Sequence, residues 1–190
     1  MSLNPNFDVL VVDDKSPDGT ASLVKSKQKE YDRIHLLENG EKNGLGTAYI
    51  AGFKWCLDRG YSYVFEMDCD FSHNPDDLLR MFAELQDNRT DMVVGSRYIG
   101  NVVNVVNWPM NRVLMSYFAS AYVRFFTRMK LADSTAGFVG YTNALLGVID
   151  LDKIKFRGYA FQIEMKYTAY KLGYKITEIP IIFTDRTAGE

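Results

Sequence analysis

Apolar positions in this chain fall in short unbroken runs that stop at charge. The sharpest is Tyr61–His73, YSYVFEMDCDFSH, where Tyr61, Tyr63, Val64, Phe65 and Met67 lead straight into Asp68-Cys69-Asp70. An apolar run of that length bounded by acids predicts a strand buried in a parallel sheet, with the acids at its carboxyl end. Phe7–Val12 (FDVLVV) repeats the pattern and ends on Asp13-Asp14, while Ile34–Leu37 and Met92–Gly95 predict two shorter strands. Helical patterns lie between them. One runs from Thr20, which suits a cap, to about Tyr31, and another from Thr47 to Asp58 with Ala48, Ala51, Phe53 and Trp55. A third opens at Asn74-Pro75 with Asp76 and Asp77 in its first turn, where the helix dipole favours acids. Strands alternating with helices at this spacing predict an α/β fold with a mainly parallel sheet flanked by helices.

The second half changes character. Tyr98–Asn107 mixes glycine, asparagine and valine without helical period and predicts a mobile loop. In Asn111–Lys130, Val113, Leu114, Tyr117, Phe118, Ala121, Tyr122, Phe125 and Phe126 recur at i, i+3, i+4 spacing beside Arg112, Arg124, Arg128 and Lys130. Two readings stand. One is a core helix with solvated arginines; the other is an interfacial helix with aromatics at a membrane and cations toward lipid phosphates. Gly158–Gly173 predicts a further helix, and Lys175–Thr184 a strand whose internal Pro180 implies an edge position or a bulge.

Composition narrows the class. With 190 residues, 47% of them hydrophobic, the chain supports one domain, taken as 4–190 with Met1–Leu3 as an appended leader. A net charge of −2 supplies no overall basic field, so nucleic acid is not an expected partner. Cys56 and Cys69 make no disulfide framework and no His/Cys cluster suggests zinc, so a reducing, cytoplasmic setting is expected. No apolar run approaches the ~20 residues that span a bilayer.

The chemistry gathers at strand ends. Residues two apart on a strand share a face, so Asp68 and Asp70 could reach one cation. Carboxylates are hard donors suited to Mg²⁺ or Mn²⁺, which commonly share their coordination with substrate phosphates. The plainer alternative is a pair of solvated turn aspartates. Around them fall Asp13-Asp14, Asp133, the Gly44-Leu45-Gly46 turn and Gly95-Ser96-Arg97-Tyr98. Carboxylates, backbone amides at a helix start and an arginine together suit a nucleoside diphosphate.

Longer motifs carry a specific resemblance: VVDDKSPDGT (Val11–Thr20), KNGLGTAYIAGF (Lys42–Phe53), MDCDFSHNP (Met67–Pro75), GSRY (Gly95–Tyr98), Asn107-Trp108, DSTAGF (Asp133–Phe138), GYAFQIEM (Gly158–Met165) and EIPIIFTDRTAG (Glu178–Gly189). In this order the chain resembles the catalytic domain of dolichol- or polyprenol-phosphate mannosyltransferases, inverting family 2 glycosyltransferases of GT-A fold. The resemblance implies Mg²⁺ or Mn²⁺ on Asp68 and Asp70, with Ser72 beside them. It implies a nucleotide lined by Asp13, Asp14, Ser16, Lys42, Gly44 and Gly46. Arg97, Arg112 and Arg186 would meet phosphate charge, and Gln162 and Glu164 would sit near the sugar and acceptor. The implied partners are GDP-mannose, or another nucleotide sugar, and a polyprenyl phosphate, with peripheral membrane contact at the cytoplasmic face. His73 is expected to cap or pack.

The sequence departs from that family at Val139, where many relatives carry arginine, in the Tyr98–Asn107 loop, and at the start. Relatives begin with an apolar strand and a P-T-Y-N-E type segment that this chain lacks. Without that first strand the Phe7 strand would have unpaired backbone groups, so weak nucleotide binding and self-association into a homo-oligomer are expected. Three other readings compete. They are a UDP-glucose transferase to the same lipid or another family 2 activity, a phospho-receiver signalling domain using Asp13, Asp14 and Asp68, and a catalytically dead scaffold.

Overall fold

The computed structural model describes residues 7–40, 44–87, 89–156 and 158–185. The chain divides into two compact units, Met1–Arg59 and Gly60–Glu190.

The first unit is a β-α-β-α arrangement. Strand β1 (Val9–Asp13) pairs in parallel with β2 (Ile34–Glu38), Val9 opposite Ile34 and Asp13 opposite Glu38. Helix α1 (Thr20–Gln28) starts behind Gly19, which holds φ 84°. Its first free amide is taken by Asp18, whose Oδ1 accepts from Thr20 N at 3.0 Å and from Thr20 Oγ1 at 2.6 Å, so the cap is the aspartate rather than Thr20. Helix α2 (Leu45–Asp58) crosses β1 closely at Gly52, where a Cβ would lie 3.3 Å from Val12.

The second unit is built on a four-stranded sheet in the order β3-β6-β4-β7, namely β3 (Tyr63–Glu66), β6 (Val139–Thr142), β4 (Met92–Ser96) and β7 (Ile176–Pro180). Strand β6 runs antiparallel to both neighbours, and only β4 and β7 are parallel. This sheet is therefore mixed rather than mainly parallel. The pattern concealed β6 because its four residues include Gly140 and Thr142 and give neither an apolar run nor an alternation. Pro180 ends β7 on the edge of the described sheet, where its missing N–H leaves no ladder bond unmade.

Side-chain alternation divides the sheet into two faces. Phe65, Val93 and Ile179 meet Met81, Leu85 and Leu78 of helix α3 (Asp77–Gln86) in the core. Register places Glu66, Val139, Val94 and Glu178 in one row on the opposite face. Helix α6 (Tyr159–Lys171) buries Phe161, Gln162, Met165, Lys166 and Ala169. The short helix α5 (Asn143–Val148) follows β6, capped by Thr142.

The expected loop after β4 is organised. A 3-10 turn at Ile99–Asn101 precedes β5 (Val105–Val106), which pairs in parallel with β8 (Phe183–Thr184), and Asn104 N donates to Arg97 O at 2.8 Å. Helix α4 (Met110–Thr127) overturns the core-helix reading. Ser120 is its sole buried residue, while Phe118, Tyr122, Phe125 and Phe126 are 63–80% exposed. No helix among the described residues is long and apolar enough to cross a membrane.

Close packing makes one glycine a test of this sheet. A Cβ at Gly140 would lie 2.5 Å from the Phe65 ring and 2.9 Å from Val93. Gly140→Ala is expected to cost about 1–3 kcal/mol of stability, measured by urea unfolding. Phe65→Ala should relieve part of that cost, so the double variant loses less than the sum of the singles. Additive losses would contradict the packing described.

Candidate active site

The carboxyl ends of β3, β4 and β7 and the start of β6 meet at one edge of the second unit. Asp68 and Asp70 lie there, in the bend beyond β3 rather than on the strand itself, because the ladder stops at Glu66. Phe71 takes φ 65° and is 95% exposed, which turns the chain back on itself. Asp70 Oδ1 then accepts from Ser72 N at 3.1 Å and from Ser72 Oγ at 2.6 Å. Burial opposes ionisation of Asp70 most strongly, but the two Ser72 hydrogen bonds and the nearby His73 together hold its pKa below the usual carboxylate value. The bend is anchored from behind, since Ser72 O accepts from Thr184 N at 3.1 Å. His73 is packed as expected, its ring 5.1 Å from Phe138 and 5.2 Å from Phe183. Its Nδ1 is buried with no hydrogen bond, and burial lowers its pKa against the pull of Asp68 and Asp70.

The wall beside this bend is the segment joining α4 to β6. Asp133, with no exposure, clamps Arg97 at the end of β4. Oδ2 accepts from Arg97 Nε at 2.7 Å and from its backbone N at 3.1 Å, and Oδ1 accepts from Nη2 at 2.8 Å. Arg97 Nη2 also donates to Thr135 Oγ1 at 2.8 Å. The segment is held from the other side by Glu178 on β7, which accepts from Ala132 N at 2.7 Å and Asp133 N at 2.9 Å. Gly137 follows, and a Cβ there would stand 3.6 Å from Asp68 Oδ2 and 4.0 Å from Gln162 Nε2. Burial is the largest influence on the Asp133 pKa and would raise it. The Arg97 hydrogen bonds and charge together outweigh burial and hold the carboxyl below the usual 3.8.

Beneath the wall, four polar side chains sit inside the sheet-to-α6 layer. Glu66 accepts from Tyr141 Oη at 2.7 Å. Lys166, with no exposure, donates to Ala136 O at 2.7 Å and to Gln162 O and Oε1 at 3.3 Å. Burial pushes the Glu66 carboxyl up and the Lys166 ammonium down, each partly offset by the other's charge. Glu66 Oε2 and Gln162 Nε2 form no well-aligned hydrogen bond, yet the amide is near enough to favour the Glu66 carboxylate.

The remaining predicted residues fall in different places. Arg112 at the start of α4 donates Nη1 to both Asp185 oxygens at 2.9 and 3.0 Å and lies 4.3 Å over the Trp108 ring. Trp108 in turn packs on Phe183 and under Arg97, which ties Arg112 to the same edge. Glu164 does not join the buried row of α6. Its Oε2 accepts from Lys155 N and Phe156 N, both at 2.9 Å. In the first unit Asp13 is 4% exposed and accepts from Ser16 N at 3.3–3.4 Å, while Asp14 Oδ1 accepts from Asn39 Nδ2 at 3.0 Å. Gly44 caps α2 at φ 95°, ψ 161°, a conformation that only glycine adopts readily, and Gly46 is buried in the first turn. Lys42 and Arg186 lie outside the described residues.

Sequence reasoning missed Glu66 and Lys166. Both carried a signal: an acid inside the apolar YVFE strand, and a lysine on the helical stripe shared with Phe161, Gln162, Met165 and Ala169. A charge on an apolar face implies a partner. An open depression of about 450 Å³ lined by Ser62, Thr90, Asp91 and Thr142 lies at the opposite strand ends, away from this chemistry.

The residues at the edge suit a hard divalent cation. Asp68 and Asp70 are only half-buried carboxylates. Among the described residues Asp70 accepts its two Ser72 hydrogen bonds on Oδ1, and Gly137, whose Cβ would stand 3.6 Å from Asp68 Oδ2, brings bare backbone beside that carboxylate. No third His, Cys, Asp or Glu completes a cage among the described residues. Such a donor set matches an ion that keeps water or substrate oxygens as its other ligands.

The Arg97–Asp133 clamp is open to a direct stability test. Asp133→Asn should cost about 3–5 kcal/mol by leaving Arg97 buried and unpaired, read by denaturant unfolding at pH 7. Because the Asp133 pKa is depressed, its contribution is complete above the usual 3.8 and is lost as pH falls below that value. The variant should lose this part of the acid dependence. An unchanged stability, or an unchanged acid limb, would contradict the role assigned to the pair.

The sequence profile described as "Glycosyl transferase family 2" matches residues 2–154. The chain is 44% identical over 186 residues to an undecaprenyl-phosphate mannosyltransferase of Micrococcus luteus, covering 98% of this chain and 75% of that protein. It is 42% identical over 187 residues to a polyprenol monophosphomannose synthase of Mycolicibacterium smegmatis, covering 97% and 69%. Among solved structures it superposes on glucosyl-3-phosphoglycerate synthase of Mycobacterium tuberculosis with TM-scores of 0.63 in complex with UDP and 0.65 with Mn²⁺, UDP and glucosyl-3-phosphoglycerate. Identity there is 15–16%, and the chain spans 60–61% of the length of those proteins while 95–96% of it is matched. The fold is thus GT-A. The bend carrying Asp68 and Asp70, set on an α/β frame of that kind and in a chain of this sequence similarity, makes this protein a member of glycosyl transferase family 2.

Proposed function

We propose that this chain is an inverting transferase that moves mannose from GDP-mannose to a polyprenyl phosphate, with Mg²⁺ or Mn²⁺ on Asp68 and Asp70. The observation that carries the donor half is the pair of half-buried carboxylates in one bend beyond β3, with the bare backbone of Gly137 beside Asp68. The acceptor half is supported by the 42–44% identity to two enzymes that act on polyprenyl phosphates. A divalent ion agrees with the Mn²⁺ and UDP found together in the synthase of like fold.

Inversion requires one in-line displacement at the anomeric carbon, with charge building on the departing diphosphate. The cation would supply Lewis-acid stabilisation of that charge. Asp70, fixed by Ser72, and Asp68 give it a preorganised seat, so little reorganisation is needed as charge develops. A phosphate monoester with second pKa about 6 is largely dianionic at pH 7. Such a nucleophile needs no general base, and none has to be found among His73, Gln162 and Glu164.

The proposed roles rest on placement supported by the motifs, and for Lys42 and Arg186 on the motifs alone. Arg97 acts through Asp133 as a positioning residue, while Arg112 and Arg186 meet phosphate charge. Gln162 borders the sugar from the Gly137 side. Glu164, which holds the 155–156 backbone, shapes the acceptor end indirectly. Asp13, Asp14, Ser16, Lys42, Gly44 and Gly46 serve the nucleotide, in a chain taken as one catalytic domain over 4–190. The enzyme works at the cytoplasmic face of a membrane. UDP-glucose remains the alternative donor, decided by turnover of the two donors side by side. The receiver reading falls with the family assignment and with the antiparallel β6 at the centre of the sheet.

The test is transfer from GDP-mannose to a short-chain polyprenyl phosphate in Mn²⁺ or Mg²⁺. Asp70→Ala should fall about a hundredfold or more with its melting temperature kept, and a chelator should abolish wild-type turnover. Normal turnover by the variant, or indifference to the chelator, would refute the metal assignment.

A further inference from the structure

Helix α4 presents an apolar face to solvent that the rest of the described protein leaves uncovered. Leu114, Met115, Phe118, Tyr122, Phe125 and Phe126 are 47–80% exposed, two adjacent pairs joined through Phe118 and Tyr122 by three- and four-residue steps, on a helix of 18 residues. A helix of that length is about 27 Å long, and a continuous aromatic stripe of this kind marks an interaction surface rather than scattered surface residues.

Charge around the stripe selects the occupant. From residue 92 to residue 132 the sequence contains no Asp or Glu, although the whole chain carries 24 acids against 22 Lys and Arg. Its cations are Arg97, Arg112, Arg124, Arg128 and Lys130. Arg97 is consumed by Asp133, Arg112 by Asp185, and Arg124 by the carbonyls of Leu131 and Ala132. Arg128 and Lys130 remain exposed, with no ion pair among the described residues. A second copy of this chain is a poor cover. Parallel or antiparallel, its own α4 would bring Arg112, Arg128 or Lys130 against like charge with no acid on the helix to answer them. Aromatics flanked by cations match the boundary between headgroups and acyl chains of an anionic bilayer.

The position of the helix adds a functional consequence. Its first residues abut the catalytic edge: Arg112 lies over Trp108, and Trp108 packs against Phe183 and Arg97. We propose that α4 docks the protein on an anionic lipid surface, its aromatic stripe in the headgroup boundary and Arg128 and Lys130 on lipid phosphates. Its N-terminal end thereby holds the Arg97–Arg112 edge at the level where a lipid acceptor presents its phosphate. The docking stands on α4 alone; the delivery of an acceptor rests on the function proposed above.

Flotation of the full chain with vesicles separates these claims. Wild type should float with phosphatidylcholine vesicles containing roughly a third phosphatidylglycerol, less with pure phosphatidylcholine, and less as salt is raised. Phe125→Ser with Phe126→Ser should abolish flotation. Arg128→Gln with Lys130→Gln should weaken it about 25-fold, about fivefold per cation. Both variants should keep wild-type transfer to a water-soluble short-chain phosphate and lose transfer to acceptor embedded in vesicles. Wild type that ignores anionic vesicles overturns the docking, even if soluble acceptor is turned over. So does flotation unchanged by the serine variant, or a wild-type dimer that the serine variant breaks while vesicles stay unbound. Wild type that floats but transfers to neither acceptor leaves the docking intact and sinks the transferase reading instead.

Discussion

Arg97 and Asp133 bury opposite unit charges at the end of β4, and the shape of the edge that carries Asp68 and Asp70 depends on how completely they answer each other. Three hydrogen bonds join the two residues, Thr135 takes a fourth from the guanidinium, and Glu178 holds the backbone amide of Asp133 from below. A buried ion pair repays its desolvation only when its remaining donors and acceptors are met in this way. Replacing it by apolar groups need not weaken the fold; removing one partner alone leaves an unanswered charge. Its value lies in geometry. It fixes the chain between residues 131 and 138, and that chain sets Gly137 beside Asp68.

The same logic extends inward. Glu66, Tyr141, Lys166 and Gln162 form a polar layer where a sheet face would ordinarily be apolar, and Lys166 reaches Ala136 O, one residue before Gly137. The wall beside the Asp68–Asp70 bend is thus held from the strand side by Glu178 and from the helix side by Lys166. Low dielectric strengthens each of these bonds and makes each unpaired atom costly. Rigid elements below therefore position a bend that is itself half-exposed.

Much of this was legible in the chain. The apolar runs located β1, β2, β3 and β4 to within a residue or two, although β4 alone of the four is buried along its whole length. The family followed from motifs in order, while the cation on the D-x-D pair is a proposal argued from donor chemistry. What was hidden has physical reasons. Strand β6 owes its place to Gly140, which lets the Phe65 ring lie against bare backbone, and no local propensity announces that. Arg97 looked available for phosphate because its partner lies 36 residues away. The period of α4 was plain, yet periodicity says that one face is apolar and not whether it turns inward; the burial of Ser120 and exposure of Phe125 decide that. The roles of Lys42 and Arg186 rest on the motifs alone.

The central claim is that Asp68 and Asp70, held by their surroundings, seat a divalent cation that carries the donor's leaving group. Water-proton relaxation in a Mn²⁺ titration reads that seat without any turnover. The account predicts a saturable site in the wild type, tightened by GDP, and lost in Asp68→Asn and in Asp70→Asn while both variants stay folded. Mn²⁺ bound equally by the wild type and both variants, with no response to GDP, would contradict it.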